Sequence, residues 1–220
     1  MKEIIFYTVK IRLSEIRKPK EGIPARKETA VIIGITAAGF VLGVFQKWLD
    51  STAVNELPVL FQSLDLGNYF GRFAVWILLG TLISACAATP LKASIHTFLF
   101  LISMVAGYYL YCRFVLGFLP VRYMLIWVVL TFVSVFPAYI CWYAKGKGLP
   151  AILISAGILG VLLAQAVFLI QGIRMTHLPE VLTWLAGVII LRRKPKEFAL
   201  EMALSVAVAL VYQLFIPYWG

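Results

Sequence analysis

In a chain that is 62% hydrophobic and only 14% charged, the few polar side chains within apolar stretches are the ones placed to do chemistry. An ionisable group at mid-membrane costs about 2.5–3.5 kcal/mol on insertion scales, so each one needs a reason. Glu201 lies about one turn inside the last apolar stretch, four residues after Glu197 and on the same helix face. It supports two readings, a proton- or cation-coupling carboxylate and a helix-start acid paired with the Arg192–Lys196 cluster. Glu180, directly after Pro179, reads first as a helix start. His96, close to Lys92 and Ser94, has the side chain that titrates near neutral pH, or is simply solvated at the membrane interface. Gln165 is mid-stretch, where an amide either meets a ligand or hydrogen-bonds to a neighbouring helix. Tyr108, Tyr109 and Tyr111 in the run YYLY either line an aromatic pocket or belong to the interfacial belt. Trp76 and Trp184 complete the candidate binding set, each in one of two similar stretches, VWILLGTLI and TWLAGVII.

Catalytic and cofactor patterns are missing from this inventory. There is no GxSxG, no P-loop and no paired aspartate of a phosphotransferase, and AKGKG at 144–148 lacks the glycine spacing of a phosphate loop. Cys86, Cys112 and Cys141 stand at unrelated spacings, and with His96 and His177 they form no CxxC, HxxxH or HExxH cluster. No metal, cofactor or enzymatic activity is therefore expected. A net charge of +10 in a soluble protein would suggest nucleic acid, but here the basic residues lie between apolar stretches. They point instead to anionic lipid headgroups at the cytoplasmic face.

The elements that must position these residues are membrane helices. Soluble domains are about 45–50% apolar, and only a helix satisfies every backbone hydrogen bond within one lipid-exposed segment. The expected fold is an all-α integral membrane protein with about seven transmembrane helices, over 29–48, 71–89, 93–112, 123–143, 150–171, 179–191 and 198–216. The sixth is short for a span. Pro137 should kink the fourth. Residues 1–28 form a basic amphipathic segment expected on the cytoplasmic membrane surface, and 29–220 the polytopic domain. With the N-terminus inside, fifteen basic residues face the cytoplasm and five (Lys47, Arg72, Arg113, Arg122, Arg174) face out. The longest outer segment, 49–70, is apolar enough to fold back as a lid over an outward-facing cavity.

Several short matches recur in order. Leu42-Gly43-Val44 pairs with Leu159-Gly160-Val161, Trp76 and Gly80 with Trp184 and Gly187, Pro90 with Pro195, and Tyr109 with Tyr212. The pattern describes a 3+1+3 arrangement, two parallel three-helix units joined by a fourth helix; chance similarity between apolar segments is the alternative. Such an arrangement resembles the sugar-exporting family of paired three-helix bundles, which implies a binding site between the halves. No proline–glutamine motif stands in spans 1 or 5, and the expected orientation is opposite to that family's. VAGYYLYCRF, PAYICWYAKGKG and EVLTWLAGVIIL resemble an uncharacterised family of small multi-pass membrane proteins of Gram-positive bacteria. That resemblance covers most of the chain from about residue 34 and implies a bacterial cell membrane, with no established activity to transfer. Together these observations favour a protein that binds or transports a small molecule, alone or as one subunit of a larger transporter. The competing expectation is a non-transporting accessory scaffold that contacts lipids, a membrane partner or a second copy through its glycine faces, Gly39-x-x-x-Gly43 among them.

Overall fold

The computed structural model describes residues 13–20, 24–170 and 172–216. Its main helices are α1 (Ala25–Ser51), α2 (Phe73–Cys86), α3 (Pro90–Phe114), α4 (Val121–Val133), α5 (Val135–Tyr143), α6 (Gly148–Ala166), α7 (Leu178–Leu191) and α8 (Pro195–Phe215). Among the described residues the only strands are β1 (Val167–Phe168) and β2 (Arg174–Met175), paired antiparallel. The fold is all-α.

Five helical segments are long and apolar enough to cross a membrane: α1, α3, α4 with α5 (23 residues together), α6 and α8. The other two apolar helices, α2 and α7, have 14 residues each. At 1.5 Å per residue that is about 21 Å, well short of a ~30 Å hydrocarbon layer. The second helix is thus shorter than the 71–89 expected from hydropathy. Arg72 and Ala87, both extended, bound it at either end. The fifth ends at Ala166 rather than 171, because Val167–Phe168 turns back on Arg174–Met175.

Local chemistry sets the other boundaries. Pro90 and Pro195 open α3 and α8 at first-turn positions, where a missing N–H costs nothing. Thr89 caps α3 by accepting the Lys92 N–H at 3.1 Å. The expected kink from Pro137 is a break at Ser134, since the proline cannot donate to the Val133 carbonyl and its ring crowds it. Ser134 and Thr131 turn their hydroxyls onto the carbonyls of Thr131 and Trp127, at 2.7 and 2.9 Å.

Helices α3 and α6 occupy the centre: 50% and 61% of their apolar stretches are buried in protein, against 11–17% for α1, α4–α5 and α8. Close approach depends on glycine. A methyl at Gly43 would collide with the Met104 backbone of α3, and one at Gly160 would sit 2.7 Å from the Ser205 carbonyl of α8. The triplets α1–α2–α3 and α6–α7–α8 share element order, with a three-residue turn and a proline before each third helix. Phe100, whose carbonyl faces Gly39, lies ten residues after Pro90, and Ser205, facing Gly160, ten after Pro195. The contact therefore equates Gly160 with Gly39, one turn away from the Gly43 match suggested by sequence. On the same footing Trp76 falls opposite Val181, and Tyr109 opposite Leu214, so those aromatic matches are not retained.

Residues 13–20 lie against the protein's own helix ends. Arg17 donates to the Trp142 and Ala85 carbonyls at 2.5 and 2.9 Å and stacks 4.3 Å from the Trp142 ring. The Lys20 N–H reaches the Ala88 carbonyl, and the Lys147 N–H reaches that of Ile16. Burial lowers the Arg17 pKa from its ordinary value. The rest of the expected amphipathic tail, 1–12 and 21–23, lies outside the described residues.

Candidate functional site

The break at Ser134 leaves a gap between α2, α3 and the α4–α5 segment. An apolar chamber of about 290 Å³ fills it, lined by Ile77, Leu101, Leu130, Thr131, Pro137 and Cys141 among others. Its rim residues Phe73, Leu130 and Val133 are exposed on the outside of the bundle. Trp76, Met104, Val105 and Trp127 also line a second cavity of about 70 Å³ with mixed polar and apolar walls, so the two adjoin as one cleft with a more polar mouth and an apolar interior. Around the mouth stand Gln46, Asp50, Tyr108, Tyr109 and Tyr123, with Gly67 and Gly71 from the outer segment.

Each mouth residue is fixed by its element. Tyr108 donates its hydroxyl to Asp50 Oδ2 at 2.8 Å, joining α3 to the end of α1. Lys47 bonds the same oxygen at 2.6 Å, with its ammonium 5.1 Å from the Tyr108 ring centre. Gln46 Nε2 and Trp76 Nε1 both donate to the Phe70 carbonyl at 3.0 Å. Tyr108 and Tyr109 meet edge to face at 5.0 Å, as do Tyr123 and Trp127 at 6.0 Å. The Tyr109 hydroxyl is buried without a hydrogen-bond partner among the described residues.

The outer segment folds as short helical turns, Val54–Glu56, Val59–Ser63 and Leu66–Tyr69. Phe61 packs on Phe45 and Trp48, while Val59 and Leu60 remain exposed. Behind it, Arg72 bridges Asp65 at 2.7 Å and the fully buried Glu180 at 2.5 Å. Tyr69 shares a hydrogen bond of 2.5 Å with Thr183; burial raises its pKa, only partly offset by that bond. Arg72 precedes α2 and Glu180 is in the first turn of α7, so this network ties the N-terminal ends of the two short helices together.

At the opposite end, Arg193 donates to the Ala144 and Gly146 carbonyls and, through Nε, approaches Ser155 Oγ and Glu201 Oε1 at 3.3 Å. A cavity of about 390 Å³ there is lined by Lys145, Arg192, Arg193, Lys194 and Glu197. Burial lowers the Lys145 pKa, helped by the nearby Arg193 and Arg17 charges.

The sequence candidates thus fall into separate places. Trp76, Tyr108 and Tyr109 meet at the cleft, and Tyr111 stands apart from it, half-buried. Trp184 packs in the second triplet against Leu163, Ala164 and Ala209, with its indole N–H unpartnered among the described residues. Gln165 is buried there too; its Nε2 has no partner among the described residues, and its backbone carbonyl accepts from Thr176. Glu201 is fully buried on Arg193, and His96 Nε2 lies 3.0 Å from Glu28 Oε1. Sequence reasoning reached Asp50 only as part of the 49–70 segment, and missed Gln46, Tyr123 and the place of Trp127 in the cavity wall. The spacing of Tyr123 and Trp127, one helical turn apart, was the available signal. Comparison with protein-family models, curated proteins and solved structures finds no match to this chain.

Proposed function

We propose that the chain is a multi-pass protein of a bacterial cell membrane that binds or transports a small molecule in the cleft between α2, α3 and α4–α5. The observation that carries this reading is the joining of a more polar, aromatic mouth to an apolar chamber within one cleft. Ligand sites are concave and mostly apolar, with a few convergent polar groups. Short apolar helices at corresponding places in two halves are a further pointer to a transporter site, and α2, one of the pair, forms a chamber wall.

In this reading all seven apolar segments cross the bilayer as a 3+1+3 pair of parallel units, the N-terminus is cytoplasmic, and α2 and α7 are shielded from lipid headgroups by their neighbours. The excess of basic residues on the inner side supports the orientation. The 52–72 segment acts as a lid, since Gly67 and Gly71 form part of the mouth. The cationic cavity at Lys145, Arg192 and Lys194 meets anionic headgroups. The site departs from the sugar-exporter analogy, because it adjoins the first triplet and the linking helix instead of lying between the triplets. With no P-loop in the chain, uphill movement needs an ion gradient or a partner subunit.

The accessory-scaffold reading draws on the docking of Leu13–Lys20 under the helix ends. It predicts that removal of residues 1–22 abolishes function, while substitutions in the cleft leave it intact. Native mass spectrometry of protein extracted gently from its own membrane separates the two. A stoichiometric small mass is expected for the binding reading; a co-released protein or an oligomer without one favours the scaffold.

A further inference from the structure

Most hydrogen-bond donors at the mouth of the cleft are already engaged. Gln46 Nε2 and Trp76 Nε1 both end on the Phe70 carbonyl, and the Tyr108 hydroxyl and Lys47 ammonium both end on Asp50 Oδ2. What remains toward a ligand is a set of acceptors and ring faces, with the Tyr109 hydroxyl as the buried donor still unpartnered among the described residues. Asp50 Oδ1 and Gln46 Oε1 accept no hydrogen bond among the described residues, and the Asp50 side chain is half exposed. Five aromatic side chains, Trp76, Tyr108, Tyr109, Tyr123 and Trp127, surround the space, and no lysine or arginine lines it. The two edge-to-face pairs have planes inclined at 63° and 75°, so neither pair is stacked face to face.

Such a lining discriminates by charge. An anion would meet carboxylate oxygen and the negative faces of rings, with little more than a tyrosine hydroxyl to replace its water. A cation is drawn to those same faces, by an amount that grows when water is excluded. The head space is small, about 70 Å³, which suits a compact ammonium group. Beyond Trp76 and Trp127 the chamber is several times larger, and its exposed lining is almost entirely apolar although Thr81, Thr97, Thr131 and Ser134 contribute to its walls. Two of its hydroxyls, Thr131 and Ser134, are bonded to their own helix. Its exposed rim at Phe73, Leu130 and Val133 opens sideways, toward the layer where aliphatic chains would lie.

We infer that the cleft takes an amphipathic organic cation, with its ammonium head in the aromatic mouth beside Asp50 and its aliphatic tail in the chamber. This rests on the small-molecule reading above and names the ligand class for that site. Lys47 neutralises part of the Asp50 charge, so the rings carry most of the selectivity. Asp50→Asn leaves Lys47 unpaired beside the mouth and weakens a cation twice over.

The test is a tryptophan-fluorescence titration of the full chain in uncharged maltoside micelles with octyltrimethylammonium, octyl sulfate and 1-octanol. Saturable binding of octyltrimethylammonium, at least about tenfold tighter than 1-octanol and with no response to octyl sulfate, is expected. Shortening the tail weakens binding roughly fourfold per methylene. Asp50→Asn and Tyr123→Leu each weaken the cation selectively; Tyr123 is 49% exposed, so that variant keeps the packing intact. Gln165→Leu, outside the cleft, changes nothing. Equal or tighter binding of 1-octanol or octyl sulfate, or cation binding indifferent to both cleft variants, overturns the inference while leaving a binding protein. If no probe binds saturably and native mass spectrometry finds no small mass, both readings fall.

Discussion

Arg72 and Arg193 each hold a buried glutamate, but they differ in what surrounds the pair. Both glutamates leave one carboxylate oxygen unpartnered among the described residues, but Asp65 shares the Arg72 guanidinium, whereas backbone carbonyls and Ser155 share that of Arg193. Removing one member of such a pair leaves a charge with nothing to offset its lost hydration. Arg72→Met should therefore destabilise the protein by about 3 kcal/mol, read as a lower melting temperature in detergent, and Arg72→Met with Glu180→Gln should recover part of it. Equal melting of Arg72→Met and the wild type would mean that the pair is not buried. The Glu201 partner could be read from sequence, because Arg193 lies only eight residues away in the basic cluster. Glu180 could not be matched in that way: its arginine is 108 residues distant and was counted as an orientation charge. Asp50 was hidden for a related reason. It is an ordinary loop acid until α1 and α3 cross at Gly43 and bring Tyr108 to it.

Helical periodicity made the elements legible more readily than their ends. All the expected apolar segments exist as helices, while α2 and α7 stop after 14 residues for reasons of turn geometry that hydropathy does not weigh. The Pro137 disturbance was legible because a missing N–H acts locally; that it opens a chamber depends on α2 and α3 standing opposite. Glycine contacts give the sharpest test at this scale. Gly43 in α1 has no room for a methyl group against Met104, whereas Gly34 in the same helix has nothing within 4 Å. Gly43→Ala should cost about 1–3 kcal/mol by forcing the helices apart. Gly34→Ala should be neutral or stabilising by about 0.5–1 kcal/mol, because it only reduces backbone freedom. Thermal melts of the two variants check this, and equal melting would contradict the α1–α3 crossing.

At the scale of the whole molecule, charged side chains gather at the two ends of the helices. Lys145, Arg193 and Arg17 gather at one end, and Lys47, Arg72 and Asp50 at the other. In a variant lacking its native cysteines, single cysteines at Lys147 and Lys194 should label only from the cytoplasmic side, and one at Arg122 only from outside; the reverse pattern would invert the topology. The second triplet's Gln165 and Trp184, singled out by sequence, have no place in the cleft, because composition marks unusual residues without saying which ones meet. The proposal that the cleft beside α2 holds a ligand is open to native mass spectrometry of gently extracted protein, wild type beside Leu101→Trp, since a tryptophan at position 101 would fill the chamber that Leu101 lines. A stoichiometric small mass is expected on the wild type and not on a still-folded variant; a mass retained undiminished by the variant, or none on either protein, would overturn the proposal.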